Sequence, residues 1–79
     1  MEQSIFNIAL DQLEEFGNKY YIKIIANDTN EYIIDNWKSK KQWCITMNYE
    51  NDSDYIVLLD KESVKQYFEE MFINSIEFN

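Results

Sequence analysis

Seventy-nine residues with fifteen acidic side chains against seven lysines, and with no arginine and no histidine, carry a net charge of −8 on a chain that is 46% hydrophobic. That charge opposes contact with nucleic acid and anionic membrane surfaces and favours basic protein surfaces. The hydrophobic fraction excludes a disordered chain, and the length sets one domain, residues 1–79.

The single cysteine, Cys44, excludes an internal disulfide and fits a reducing compartment. Met1-Glu2-Gln3-Ser4 opens the chain without a basic region or a long apolar run. Neither a leader peptide nor a membrane span is expected, and a cytoplasmic location is.

Residues 4–16 read as a helix that Ser4 can cap. Phe6, Ala9, Leu10, Leu13 and Phe16 recur at three- and four-residue steps as one apolar stripe, with Asp11, Glu14 and Glu15 largely off it. Gly17, the only glycine, follows the stripe where a left-handed residue ends a helix. The period then falls to two, with Tyr20, Ile22, Ile24 and Ala26 alternating with Tyr21, Lys23 and Ile25. Asn27, Asp28, Thr29 and Asn30 supply turn chemistry. A second strand is predicted over 31–37, a third over 42–49, a turn over 50–54 and a short apolar strand over 55–59. Asp60 reads as the N-cap of a second helix with Val64, Phe68, Met71, Phe72 and Ser75 on its inner face. That helix ends near Ile76 and leaves Ile73 on its exposed side. The predicted fold is α+β in the order α-β-β-β-β-α, a four-stranded antiparallel meander with N- and C-terminal helices.

Register decides which side chains share a face. A turn of two or four residues around Ser39 pairs Asn36 with Trp43 and Trp37 with Gln42. Tyr32, Ile34, Trp43, Ile45 and Met47 then line one face. A five-residue turn that pairs Tyr49 with Tyr55 adds Val57 and Leu59 to it. The opposite face collects Tyr21, Lys23, Ile25, Ile33, Asp35, Trp37, Cys44, Thr46, Ile56 and Leu58, which is too apolar for full solvation. Either one helix crosses to cover it or it meets another chain; the small size favours both helices on the first face, and the second then becomes a homodimer or partner surface.

Chemistry is sparsely supplied. Without histidine there is no general base poised near neutral pH, and Cys44 sits mid-strand with no basic partner. One glycine cannot build a phosphate-cradling loop. Glu50, Asp52 and Asp54 begin like a calcium loop, but Tyr55 stands where glycine is needed and Lys61 where a bidentate glutamate is needed. No enzyme, cofactor or metal is expected. Lys38, Lys40 and Lys41, between Trp37 and Trp43, are the one basic stretch. Read for function, they make the Trp37–Lys41 hairpin a contact for RNA or single-stranded DNA. Read for structure, they are lysines at a hairpin tip that block edge-to-edge association. Arginine, the usual reader of phosphate and guanine, is missing, which favours the structural reading.

The remaining pattern is acidic. Glu50, Asp52, Asp54, Glu69 and Glu70, with Ile33, Trp37 and Tyr55 as apolar anchors, are the residues expected to meet a partner. Rows of carboxylate imitate nucleic-acid phosphates and suit a basic groove. A small, acidic, cysteine-poor chain rich in Asn, Ile, Lys and Tyr resembles the inhibitors encoded by phages and mobile elements, the anti-CRISPR and DNA-mimic proteins above all. The likeness covers the whole chain in composition and layout, holds no signature motif and carries over no residue. It implies an inhibitor of a nucleic-acid-handling host enzyme, such as a CRISPR effector, that occupies a basic groove or an assembly surface. An immunity protein or antitoxin for a basic toxin would use the same acidic surface.

Overall fold

The computed structural model describes residues 3–17, 19–28, 30–37, 40–48 and 51–79. In chain order these form α1 (Gln3–Phe16), β1 (Ile22–Ala26), β2 (Glu31–Trp37), β3 (Gln42–Asn48), β4 (Ser53–Leu58), α2 (Lys61–Phe68) and β5 (Ile73–Phe78). The strands make one antiparallel sheet in the order β4-β3-β2-β1-β5. Residues 38, 39, 49 and 50, and with them Lys38 and Glu50, lie outside the described residues.

Helix α1 buries Phe6, Ala9, Leu10 and Leu13, the stripe its spacing implies. Ser4 lies inside the first turn rather than ahead of it, because the helix begins at Gln3. At the other end Gly17 takes φ 76° and donates its N–H to the Leu13 carbonyl at 2.8 Å. A Cβ would oppose that left-handed backbone. The same carbonyl accepts from the Asn36 amide at 3.4 Å. That bond gives a partner to Asn36, only 5% exposed and the one buried polar side chain among the described residues. Phe16 is exposed and packs instead against the Tyr20 ring at 5.7 Å.

The β2–β3 register is the expected one, with Asn36 opposite Trp43 and Trp37 opposite Gln42. Tyr32, Ile34, Trp43 and Ile45 are buried on one face, with Met47 packed at the margin. Val64 and Phe68 of α2 close the same side, so the core lies between both helices and one sheet face. Phe68 sets its ring edge-on to Tyr32 at 5.4 Å and to Phe6 at 5.5 Å, which ties α2, β2 and α1 together. The Tyr32 hydroxyl reaches out of this core to the Asp28 carboxylate at 2.6 Å. Burial, reinforced by that bond, pushes the phenol up to about 12.

Two expectations are corrected. The C-terminal helix stops at Phe68, and residues 73–78 form a fifth strand on the outer side of β1. Ile76 lies opposite Ile24 and Phe78 opposite Ile22, so the last strand adds its apolar residues to the buried face. Ile73, expected on an exposed helix side, packs against the core beside Ala26, where the register shifts. Phe72, expected to face inward, is 71% exposed, and Ser75 is exposed as well. The physical reason is competition between two solutions for one segment. A four-turn helix would bury part of one side of residues 73–78, whereas pairing with β1 satisfies their backbone and covers a sheet edge.

The second correction is the parity of β4. Asn48 lies opposite Ser53, so the connection is one residue shorter than expected and the strand starts two residues earlier. Ile56 pairs with Ile45 and Leu58 with Trp43, which moves them to the helix side; Tyr55 and Val57 turn outward. Leu59 lies past the strand and is 81% exposed. A slip by an odd number of residues exchanges every side chain between faces.

Asp60 caps α2 as its position implies, accepting from the Ser63 N–H at 2.8 Å. The next residue, Lys61, reaches back to α1 and meets Asp11 at 2.6 Å and Glu14 at 3.0 Å. That fork raises the Lys61 ammonium and lowers the Asp11 carboxyl, chiefly through the hydrogen bond they share.

Candidate functional site

With both helices on one side, no described element covers the other sheet face. None of the buried core residues belongs to it. Its rows follow from the register: Lys23, Ile33, Thr46 and Tyr55 in one, Asp35, Cys44 and Val57 in the next, Trp37 and Gln42 at the end.

The face is not uniform. Toward one end Lys23 pairs with Glu31 at 3.2 Å, and the Asn48 amide donates to the same carboxylate at 2.9 Å. These contacts lower the Glu31 carboxyl, the Asn48 bond most, and raise the Lys23 ammonium, the Glu31 bond most. This end is a self-satisfied polar network. The other end is a groove of about 400 Å³ lined by Asp35, Trp37, Gln42, Cys44, Thr46, Tyr55 and Val57. Trp37 is 44%, Val57 49% and Tyr55 69% exposed, so large apolar area faces solvent. Burial raises the Asp35 carboxyl on this floor. Burial likewise raises the Cys44 thiol beside it, which reduces its thiolate fraction and its value as a nucleophile.

Of the residues expected to meet a partner, the sheet brings Ile33, Trp37 and Tyr55 to this one face. Ile33 and Tyr55 share a row through Thr46. The acids lie elsewhere. Asp52 and Asp54 are exposed where β4 begins, and Asp52 accepts from the Ser53 N–H at 2.8 Å. Glu69 and Glu70 are exposed just past α2, whose last residue packs on Tyr32. Tyr32 pairs with Met47 and Met47 with Asp54, so the four acids sit toward one end of the sheet. Asp54 is on the helix side of β4, away from the groove.

Sequence reasoning placed Asp35, Trp37 and Cys44 on this face but gave Asp35 no role there, and it put Val57 in the core. The signal for Asp35 is its alternation with Ile33 and Trp37, an acid between two large apolar residues on one strand face. For Val57 no local signal exists, because the run Tyr55-Ile56-Val57-Leu58-Leu59 does not alternate. Among the described residues no group of three or more His, Cys, Asp or Glu side chains is placed to hold a metal ion. No described helix is long and apolar enough to cross a membrane. Comparison with family models, curated proteins and solved structures returns no match to this chain.

Proposed function

We propose that this protein is a small binding inhibitor, encoded by a phage or mobile element, that acts in the host cytoplasm on a nucleic-acid-handling enzyme such as a CRISPR effector. It occupies a basic groove or assembly surface of that enzyme and performs no chemistry of its own. The observation that carries this reading is the uncovered sheet face, with Trp37, Tyr55 and Val57 around one groove and Ile33 in the same row as Tyr55, on a domain of net charge −8. Exposed aromatic anchors supply affinity through a few desolvated contacts. The surplus carboxylates steer the molecule toward a positive partner and repel nucleic acid itself.

One observation favours direct nucleic-acid binding instead: Trp37 is exposed with Lys40 Nζ 5.1 Å from its ring centroid, a stacking surface next to a cation. The net charge opposes it. The deciding experiment titrates the purified protein against labelled single-stranded RNA and DNA at physiological salt, and in parallel against purified basic nucleic-acid enzymes with their activity as readout. Inhibition and capture of such an enzyme, lost in Ile33→Lys, support the proposal. Micromolar nucleic-acid affinity that disappears in Trp37→Ala overturns it.

A further inference from the structure

The groove on the open face divides into two chemistries. Tyr55, Val57, Cys44 and Thr46 make an apolar stretch across β3 and β4. At the β2 side, Asp35 and Trp37 stand two residues apart, which places both on the same face of the strand. Asp35 is half-buried, and among the described residues no donor or cation meets its carboxylate. The Trp37 ring beside it is open enough to hold a cation already, the ammonium of Lys40. A carboxylate that no described cation meets thus stands next to an aromatic face that accepts one.

We propose that this end of the groove takes the guanidinium of an arginine on the partner protein, stacked on Trp37 in place of Lys40 and ion-paired to Asp35. The side chain next to that arginine lies apolar against Cys44, Val57 and Tyr55. The proposal rests on the binding reading above and names the partner's chemistry: a basic segment in which arginine adjoins an apolar residue. Arginine suits the site better than lysine because its planar fork stacks on indole while it donates to both carboxylate oxygens, and because it loses water more readily. Within a homodimer the facing copy has only lysines to offer, since the chain contains no arginine. An arginine in this site therefore comes from a different protein.

Nona-arginine, nona-lysine and neutral nona-citrulline peptides are the probes, followed by two-dimensional amide and indole NMR at low salt. The arginine peptide is expected to move the Trp37 indole and the Asp35, Cys44 and Val57 amides, and to bind about fivefold tighter than the lysine peptide. Asp35→Asn keeps the size of the side chain and removes its charge, whereas Trp37→Leu keeps an apolar side chain and removes the aromatic face; each should weaken binding about fivefold while the rest of the spectrum reports an intact fold. Glu69→Gln with Glu70→Gln should change it less than about twofold. Equal binding of the arginine and lysine peptides, with the glutamate pair costing as much as Asp35→Asn, would show that charge alone governs; the arginine site is then overturned and the inhibitor reading stands. Silence of the groove residues with every peptide also overturns the arginine site. Failure to bind or inhibit any basic enzyme is the separate result that removes the inhibitor reading.

Discussion

The two faces of this sheet are built from neighbouring residues of the same strands, yet they do opposite things. On one, Ile22, Ile24, Tyr32, Ile34, Trp43 and Ile45 lose almost all contact with water beneath α1 and α2. On the other, Lys23, Ile33, Asp35, Trp37 and Thr46 stay in contact with it. The covered face is close to pure hydrocarbon and aromatic ring, with Asn36 bonded to the end of α1. The open face mixes the Lys23–Glu31 ion pair with hydroxyls, aliphatic side chains and aromatic rings. Stability is concentrated on the first and the proposed recognition falls on the second, because a strand's period of two hands successive residues to different environments.

The sharpest way to break that division is to cut into the covered face. Phe68→Ala removes the ring that joins α2 to Tyr32 and Phe6. It should cost about 3–5 kcal/mol, a large part of what a domain of this size has in total. Urea titration followed by fluorescence measures it. A loss below about 1 kcal/mol would mean that α2 does not close the core as described.

On the open face the same experiment should read differently. Ile33→Lys is expected to abolish capture and inhibition of the partner while changing stability by less than about 1 kcal/mol. If instead the variant unfolds, or if light scattering finds a dimer that it disrupts, the open face is a structural interface between copies rather than a docking surface for a target.

A weaker effect is expected from the acids at the end of the sheet. Asp52→Lys together with Glu69→Lys should slow association with the partner and flatten its dependence on ionic strength, since exposed charges are screened within about 8 Å at physiological salt. Thermal unfolding should barely change. An association rate that ignores both salt and the substitutions would assign these acids to solubility alone.

The smallest effect concerns Asp35. Burial raises its folded-state pKa above the unfolded value, so ionisation there opposes folding. The handicap is absent below the ordinary carboxyl range, grows as pH rises through the window between the unfolded and folded values, and is complete above the latter. Asp35→Asn should therefore raise the melting temperature slightly at neutral pH, with the gain vanishing in acid. Loss of partner binding in the same variant would mark a residue retained at a small cost to stability. If the gain is absent at neutral pH, Asp35 is better solvated than its place in the groove implies.

Much of this was legible in the residues themselves. The α1 stripe, Gly17, the alternation of β1, the Asp60 cap and the β2–β3 pairing follow from steric and hydrogen-bonding preferences that act within a few positions. Ile33 and Trp37 fell on the open face for the same reason, since alternation through β2 and a short turn suffice to place them. Composition made the molecule acidic, and the change of hydrophobic period along the chain made it α+β.

Tertiary structure alone decided the rest. Met71, Phe72 and Ser75 continue the helical stripe of Val64 and Phe68, whereas Ile76 and Phe78 keep a strand's step, and pairing with β1, some fifty positions earlier in the chain, tipped the balance. In β4 the unbroken apolar run from Tyr55 to Leu59 fits either face. There the pairing of Asn48 with Ser53 chose which side chains are buried. A one-dimensional pattern carries parity only where polar and apolar residues alternate; where they do not, the partner strand supplies it. The groove that joins Asp35 and Trp37 of β2 to Tyr55 and Val57 of β4 exists only once that choice has been made.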